Sequence, residues 1–304
     1  MSLSGTTVLV TGAGGGSGET TARAFLHAGY PVIAGDLQVP VWETEYESLL
    51  TRVKMDISQE DQVNDVVRCA VESGHPIQIL INNAGVAIGV PIEQMSTEIW
   101  NKNLSVNATG TFFCTRAVVS ILLEKGLPGS IINIASIAGK NGFANTAAYC
   151  ASKAGVIGMT RGLAAELGPR DITVNAICPG SVDTPMIQRV INGISADTGE
   201  DKSTVRRRME SSIPMNRFQK PEDIAALALF LASDGAEISA GKPSTLTVVS
   251  CGTDPSSHIR NLILKSGGVL FYLQNASAFQ DDIWPWELCI SWYGMRRFDD
   301  NGSI

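Results

Sequence analysis

The sequence has little that would mark a metalloprotein, a disulfide scaffold or a nucleic-acid binder. Its three histidines, His27, His75 and His258, share no metal-ligand spacing, so no metal site is expected. Its six cysteines (Cys69, Cys114, Cys150, Cys178, Cys251, Cys289) are scattered without a C-x-x-C pair. Reduced thiols in a cytoplasmic protein are the simple reading. Positive charge is short: 23 Lys and Arg stand against 30 Asp and Glu, for a net charge of −7. That balance argues against nucleic acid or an acidic membrane surface as a partner. No run reaches the roughly 18 uncharged apolar residues of a membrane helix. The opening "MSLSGTTVLVTG" lacks the basic start and apolar centre of a signal peptide. Aromatics are sparse, at 6%, and eight of the nineteen fall within residues 252–304. What remains, 44% apolar and 17% charged residues, suits a globular chain with one large domain and an appendage.

Glycine is the exception to this scarcity. Five of the eight residues in "TGAGGGSG", 11–18, are glycine, and such a run costs backbone entropy to order. A β-branched strand, 6–11, precedes it, and a helix over 19–29, ended by Gly29, follows. Further strands are expected at 31–36, 52–56, 77–85, 129–136, 172–180 and 244–249. Helices are expected from Ser58, as cap, to Glu72, over 103–124 and 146–167, and from Pro221 to Ala232. Strands alternate with helices, and the inner strands are near-continuous apolar runs. That pattern predicts an α/β fold: a doubly wound, seven-stranded parallel sheet with helices on both faces and ligands at the carboxyl ends of the strands. The domain is placed at 1–251. Residues 252–304 show no period and are read as an irregular tail, disordered or the product of an altered reading frame.

Gly12, Gly16 and Gly18 lie between a strand and a helix, the context of a dinucleotide loop. Side chains there would keep backbone N–H groups from a pyrophosphate, and the helix aims its positive end at the same anion. A flexible loop is the plainer alternative for glycines alone. Asp36 ends the second strand. A carboxylate there accepts from both adenosine ribose hydroxyls and repels a 2′-phosphate, and neither Ser17 nor Leu37 offers a positive charge. NAD is therefore expected over NADP.

Tyr149 and Lys153, in "YCASK", share one helix face. A free tyrosine, with a pKa of about 10, needs a nearby ammonium to serve as a base at neutral pH. Ser136 ends the fifth strand, where its hydroxyl has reach of the same substrate oxygen. "NNAG", 82–85, ends the fourth strand at the same sheet edge, and Asn107 interrupts a helix in "SVNATG". Cys150 is read as helix packing.

Taken together these motifs resemble the short-chain dehydrogenase/reductase family. T-G-x-x-x-G-x-G matches Thr11 to Gly18, N-N-A-G matches Asn82 to Gly85, and Ser…Tyr-x-x-x-Lys matches Ser136, Tyr149 and Lys153. The helix asparagine matches Asn107, and the P-G motif with its threonine matches Pro179, Gly180 and Thr184. The resemblance covers residues 5 to about 250. It implies a tetrad in which Tyr149 is the general acid/base and Lys153 binds the nicotinamide ribose and lowers the Tyr149 pKa. In that tetrad Ser136 polarises the carbonyl and Asn107 holds a water. It implies that Asp56 and Ile57 border the adenine, that Asn83, Ala84 and Gly85 line the cofactor, and that Thr184 and the backbone near Val182 hold the carboxamide. The implied activity interconverts a secondary alcohol and a ketone. An NADPH-linked acyl-thioester ketoreductase and a non-catalytic dinucleotide binder are the alternatives. The family also implies a homodimer or homotetramer.

The chain departs from the family at "VVSCGTD", where Ser250 and Cys251 stand in place of aspartate and glycine, and in everything after it. Between Thr184 and Pro221 lies the family's variable substrate lid. Met186, Ile187, Val190 and Ile191 there, with Val86, Ile88, Val90, Ile137 and Phe143, suggest a mostly apolar small-molecule substrate. Arg206, Arg207 and Arg208 are read as a solvated helix face rather than an anion site.

Overall fold

In the computed structural model, residues 6–213, 215–233, 248–250, 263–266 and 269–272 are described. Six strands carry the sheet: β1 (Thr7–Thr11), β2 (Val32–Asp36), β3 (Leu50–Lys54), β4 (Ile77–Asn82), β5 (Gly129–Ile134) and β6 (Ile172–Cys178). A short β7 (Val248–Ser250) pairs with β6. The order is β3-β2-β1-β4-β5-β6-β7, and every neighbouring pair is parallel. The chain steps outward from β1 to β3, then returns to place β4 on the other side of β1. That reversal opens a crevice above the carboxyl ends of β1 and β4, the place where doubly wound sheets take ligands.

Alternation along β1 shows why both faces need helices. Val8 and Val10 point into one apolar cluster, Leu9 into another, and all three are fully buried. The first cluster is closed by α1 (Gly16–His27) and α8 (Pro221–Ala232). The second is closed by α2 (Glu60–Glu72), α4 (Thr111–Lys125) and α5 (Ala147–Leu167). Pro221 opens α8 as the sequence predicts, and Asp223 accepts from the Lys220 N–H at 2.9 Å. Two helices of the lid, α6 (Pro185–Thr198) and α7 (Lys202–Ser211), pack a small core of their own around Ile191, Val205, Ile213 and Phe218.

Several local expectations are corrected. α1 begins at Gly16, three residues before the expected start, because the glycines themselves make its first turn. The third strand is Leu50–Lys54, two residues earlier than expected at each end, and Met55 N–H still donates to Asp36 O at 2.7 Å. Ser58 does not cap α2; its N–H and hydroxyl both donate to Asp56 Oδ1, at 2.9 and 2.7 Å. The single helix expected over 103–124 is three segments: α3 (Thr97–Leu104), a π-helical stretch (Ser105–Gly110) and α4. By length and composition this 29-residue run is long and apolar enough to cross a membrane, which the sequence reading did not expect. Half of its most apolar 18-residue stretch is buried in the protein, and Cys114, Val118 and Leu122 are wholly inside. It serves here as a core helix.

The expected strand over 244–249 is described only as Val248–Ser250, and Cys251 lies outside the described residues. Of the tail 252–304, Ile263–Ser266 and Val269–Tyr272 are described, and they form an antiparallel pair rather than irregular chain. The remainder of the tail lies outside the described residues.

Candidate active site

The glycine loop is shaped by what has no room. Gly12 adopts φ +68°, and a Cβ there would sit 2.7 Å from Ala84 Cα. A Cβ on Gly18 would lie 1.9 Å from the Gly12 carbonyl oxygen. The helix N-cap is Gly15, and no side chain caps it. The first N–H groups of α1 thus face outward from a surface of bare backbone, which fits the pyrophosphate of a dinucleotide. Half-buried Ser17 lies in this first turn. Asp36 stands at the end of β2 as predicted, and its Oδ2 accepts from Gly14 N–H at 2.8 Å. One carboxylate oxygen therefore braces the loop, and acceptor capacity remains for ribose hydroxyls.

The loop after β4 is tied to the glycine loop. Thr11 Oγ1 accepts from the N–H groups of Asn83 and Ala84, each at 3.0 Å. The Asn83 amide donates to the carbonyls of Thr11 and Gly12, at 3.0 and 3.1 Å. Asn83 thus holds the cofactor loop with its side chain. The Ile57 side chain is buried in the core, so any border it makes to an adenine is through its backbone. Asp56, which the resemblance places by the adenine, orders the turn through Ser58.

The acid/base group is assembled from the end of β5 and the first turns of α5. Ser136 follows β5, is buried, and accepts from Ala138 N–H at 3.1 Å. Tyr149, near the start of α5, is half-buried and hydrogen-bonds the Ser136 side chain. Lys153, one turn on, is buried, with its ammonium donating to the Ile134 carbonyl at 2.7 Å and lying 6.0 Å from the centre of the Tyr149 ring. Burial raises the Tyr149 phenol above its usual value, the Ser136 bond works against this, and Cys150 adds to it. Burial brings Lys153 down to about 8, partly opposed by Cys178. The Ser136 bond is thus a contact that works to lower the phenol against the effect of burial. Cys150 packs as expected, its Sγ 3.3 Å from Thr146 Oγ1.

Asn107 lies in the π-helical stretch and is fully buried. Its Oδ1 accepts from Val86 N–H, and its Nδ2 donates to Val86 O and to Ser152 Oγ, at 2.8, 2.8 and 2.9 Å. Its side chain thus holds both backbone groups of Val86, and its own carbonyl accepts from the Thr111 hydroxyl at 2.7 Å. A Cβ on Gly85 would meet Asn107 Oδ1 at 3.0 Å and Lys153 Nζ at 3.5 Å.

On the far side of the crevice, Pro179 and Gly180 follow β6, and Gly180 N–H donates to Gln219 Oε1 at 3.0 Å. Thr184 is the N-cap of α6, and its hydroxyl donates to Val182 O at 3.2 Å. Thr184 also lies against Gly16, where a Cβ would approach its methyl to 3.4 Å. Thr184, which the resemblance assigns to the carboxamide, thus sits beside the glycine loop. Between Thr184 and Pro221, Ile191 lies in the small core of α6 and α7 and Ile187 packs against it. Arg206 pairs with Asp183 and Glu210, at 2.6 and 2.8 Å, and Arg208 with Glu200 at 3.3 Å. Arg207 donates to Thr204 at 3.0 Å.

Two residues at this site escaped the sequence reading. Trp42 donates its indole N–H to Ala13 O at 2.7 Å, inside the glycine loop. Its ring lies beneath the guanidinium of Arg23, at 4.5 Å, and near that of Arg52, at 5.5 Å. Asn103, fully buried on α3, binds the backbone of Ile88. The only advance signal was a lone tryptophan in a loop and an asparagine inside a helix.

A dinucleotide cradle at a sheet crevice, with a Ser–Tyr–Lys group beside it, defines a nicotinamide-dependent oxidoreductase. A family model described as enoyl-(acyl carrier protein) reductase matches residues 12–248. The 3-oxoacyl-(acyl-carrier-protein) reductase FabG of Thermotoga maritima is 37% identical over 248 residues, 80% of this chain and 96% of that protein. A 2,5-dichloro-2,5-cyclohexadiene-1,4-diol dehydrogenase of Sphingobium indicum is 33% identical, covering 79% of this chain and 94% of its own. A crystal structure of an actinorhodin polyketide ketoreductase variant with NADPH superposes with a TM-score of 0.72 at 31% identity, over 82% of this chain and 98% of that one. The chain belongs to the short-chain dehydrogenase/reductase family of oxidoreductases.

Proposed function

We propose that the chain is an NAD-linked dehydrogenase that interconverts a secondary alcohol and a ketone, with Tyr149 as the general acid/base. The hydrogen bond between Tyr149 and Ser136, beside buried Lys153, carries this reading. Two hydroxyls converge there, so one oxygen of a substrate can meet both. Tyr149 takes that oxygen's proton in oxidation and returns it in reduction. Ser136 keeps the substrate oxygen in place, and Asn107 fixes the wall at Val86. A bound nicotinamide dinucleotide supplies the hydride acceptor. Gly12, Gly16 and Gly18 would leave room for its pyrophosphate, and Val182 and Thr184 would hold its carboxamide. Holding both reactants in contact contributes roughly 7–11 kcal/mol to such a reaction. Replacing Tyr149 by Phe is expected to lower kcat about 1,000-fold while the NADH dissociation constant stays unchanged; an unchanged rate would sink the mechanism.

Asp36 supports NAD over NADP, since its carboxylate stands where a 2′-phosphate would come. A second reading, NADPH-linked reduction of an acyl thioester, draws on the NADPH in the similar ketoreductase structure and on the reductase relative. Turnover with each dinucleotide decides between them. NAD is expected to be preferred, and Asp36→Ala to shift the NAD/NADP ratio of kcat/KM towards NADP by about tenfold or more. Equal use of NADP by the unsubstituted chain overturns the preference.

A further inference from the structure

The chain that leaves β4 is held by side chains where a strand would be held by a strand. Asn107 binds both the N–H and the carbonyl of Val86, at 2.8 Å each. Asn103 does the same to Ile88, accepting from its N–H at 3.3 Å and donating to its carbonyl at 3.1 Å. The Asn103 amide also donates to Ile99 O at 3.0 Å, which fixes its rotamer. The spacing explains why the pair works. Four residues of helix rise about 6 Å, and two residues of extended chain advance about 6.6 Å. The two asparagines, four apart, therefore meet alternate residues of the segment like two rungs of a ladder.

The ends of that segment locate it. A Cβ at Gly85 would lie 3.5 Å from Lys153 Nζ, and a Cβ at Gly89 would lie 2.8 Å from the carbonyl of Asn145, four residues before Tyr149. Asn145 itself has φ +62°, unusual for a residue with a side chain. Residues Gly85 to Gly89 thus run along α5 from Lys153 towards the turn that leads to Tyr149. Val86 packs against the cluster closed by α2 and α4, which leaves half-buried Ile88 as the apolar side chain of this wall.

We propose that Asn103 is a positioning residue for the substrate. Through Ile88 it fixes the wall on which an apolar substituent of the reacting carbon rests, and it takes no part in holding the dinucleotide. The proposal rests on the dehydrogenase reading above. Asn103 lies fully buried with both polar atoms engaged on backbone. Its loss therefore frees the outer rung and leaves the inner rung at Val86 in place.

The test uses the full chain with Asn103→Leu and Asn103→Asp, NAD, and a series of 2-alkanols from propan-2-ol to octan-2-ol. With Asn103→Leu, the Ile88 amide is expected to exchange about tenfold faster, as for one lost hydrogen bond, while the Val86 amide stays protected. The KM of octan-2-ol should rise about tenfold and that of propan-2-ol by less than about twofold. The NADH dissociation constant, from fluorescence titration, should not move. Asn103→Asp keeps the acceptor for Ile88 N–H and should fall between the two, and it carries the test if the leucine variant does not fold. Unaltered exchange at Ile88 overturns the proposal, as does a KM change shared equally by all chain lengths or by NADH. If the unsubstituted chain oxidises no alcohol and reduces no matching ketone, the dehydrogenase reading fails. The Ile88 amide then decides the clamp alone.

Discussion

The two sides of the crevice are built by opposite means. On the dinucleotide side the working surface is backbone, and its shape follows from missing side chains: Gly18 has no room for a single carbon. Around the acid/base group the surface is set by buried polar side chains, Asn103, Asn107, Ser136 and Lys153, each with named partners. The first side has no room for a carbon at Gly18, and the second loses a named hydrogen bond with each side chain removed. A ligand common to many enzymes suits a surface made of what every residue shares. A ligand particular to one enzyme calls for a surface that substitutions can tune.

Adding one carbon at two points of the glycine run is the strongest test of that contrast. Gly18→Ala forces the loop to move by more than 1 Å, and a misplacement of about 1 Å costs roughly 100-fold in turnover. Gly15→Ala, where a Cβ would meet nothing within 4 Å, should be tolerated. Steady-state kcat/KM for the dinucleotide, with thermal midpoints, reads both; equal effects would show that the loop is merely flexible.

Subtraction on the other side should cost less and carry a pH signature. Ser136→Ala removes the bond that lowers the Tyr149 pKa, so that pKa rises. The alkaline-rising limb of alcohol oxidation should move to higher pH, with a rate loss near neutrality of about 10- to 100-fold. A profile that stays in place would show that Ser136 binds substrate without tuning the phenol. The smallest effect is expected where the two means mix. Trp42→Phe keeps a ring beneath Arg23 but loses the donor to Ala13 O. One neutral hydrogen bond is worth about 1 kcal/mol, so the dinucleotide KM should rise about fivefold with kcat and alcohol KM unchanged.

The contrast also explains what the sequence disclosed. The glycine run, Asp36, Ser136, Tyr149 and Lys153 were legible because their spacing along the chain reflects a local need: a tight turn, a strand end, one helix face. Asn103 and Trp42 were not, because their partners Ile88 and Ala13 lie 15 and 29 residues away and no periodicity links them. The π-helical stretch was hidden for a similar reason, since a helical pattern does not register one widened turn. Ser58 before an acidic turn reads equally as a helix cap or as a partner of Asp56, and only the fold chose. The rise in the Tyr149 pKa comes from burial, a property of the assembled sheet rather than of "YCASK".

The reversal of strand order at β1 has a bearing on how the chain is made. β1 takes β2 as a neighbour within some twenty residues but waits for β4, and the Thr11 hydroxyl reaches its acceptor at Ile81 across a separation of 70 residues. Such distant parallel pairings form late and slowly. During synthesis from the N-terminus, the nascent β1–β3 unit therefore exposes one apolar strand edge until residues 77–82 leave the ribosome. The seam that later opens to receive a ligand is thus the same edge that a chaperone or a neighbouring nascent chain would meet first.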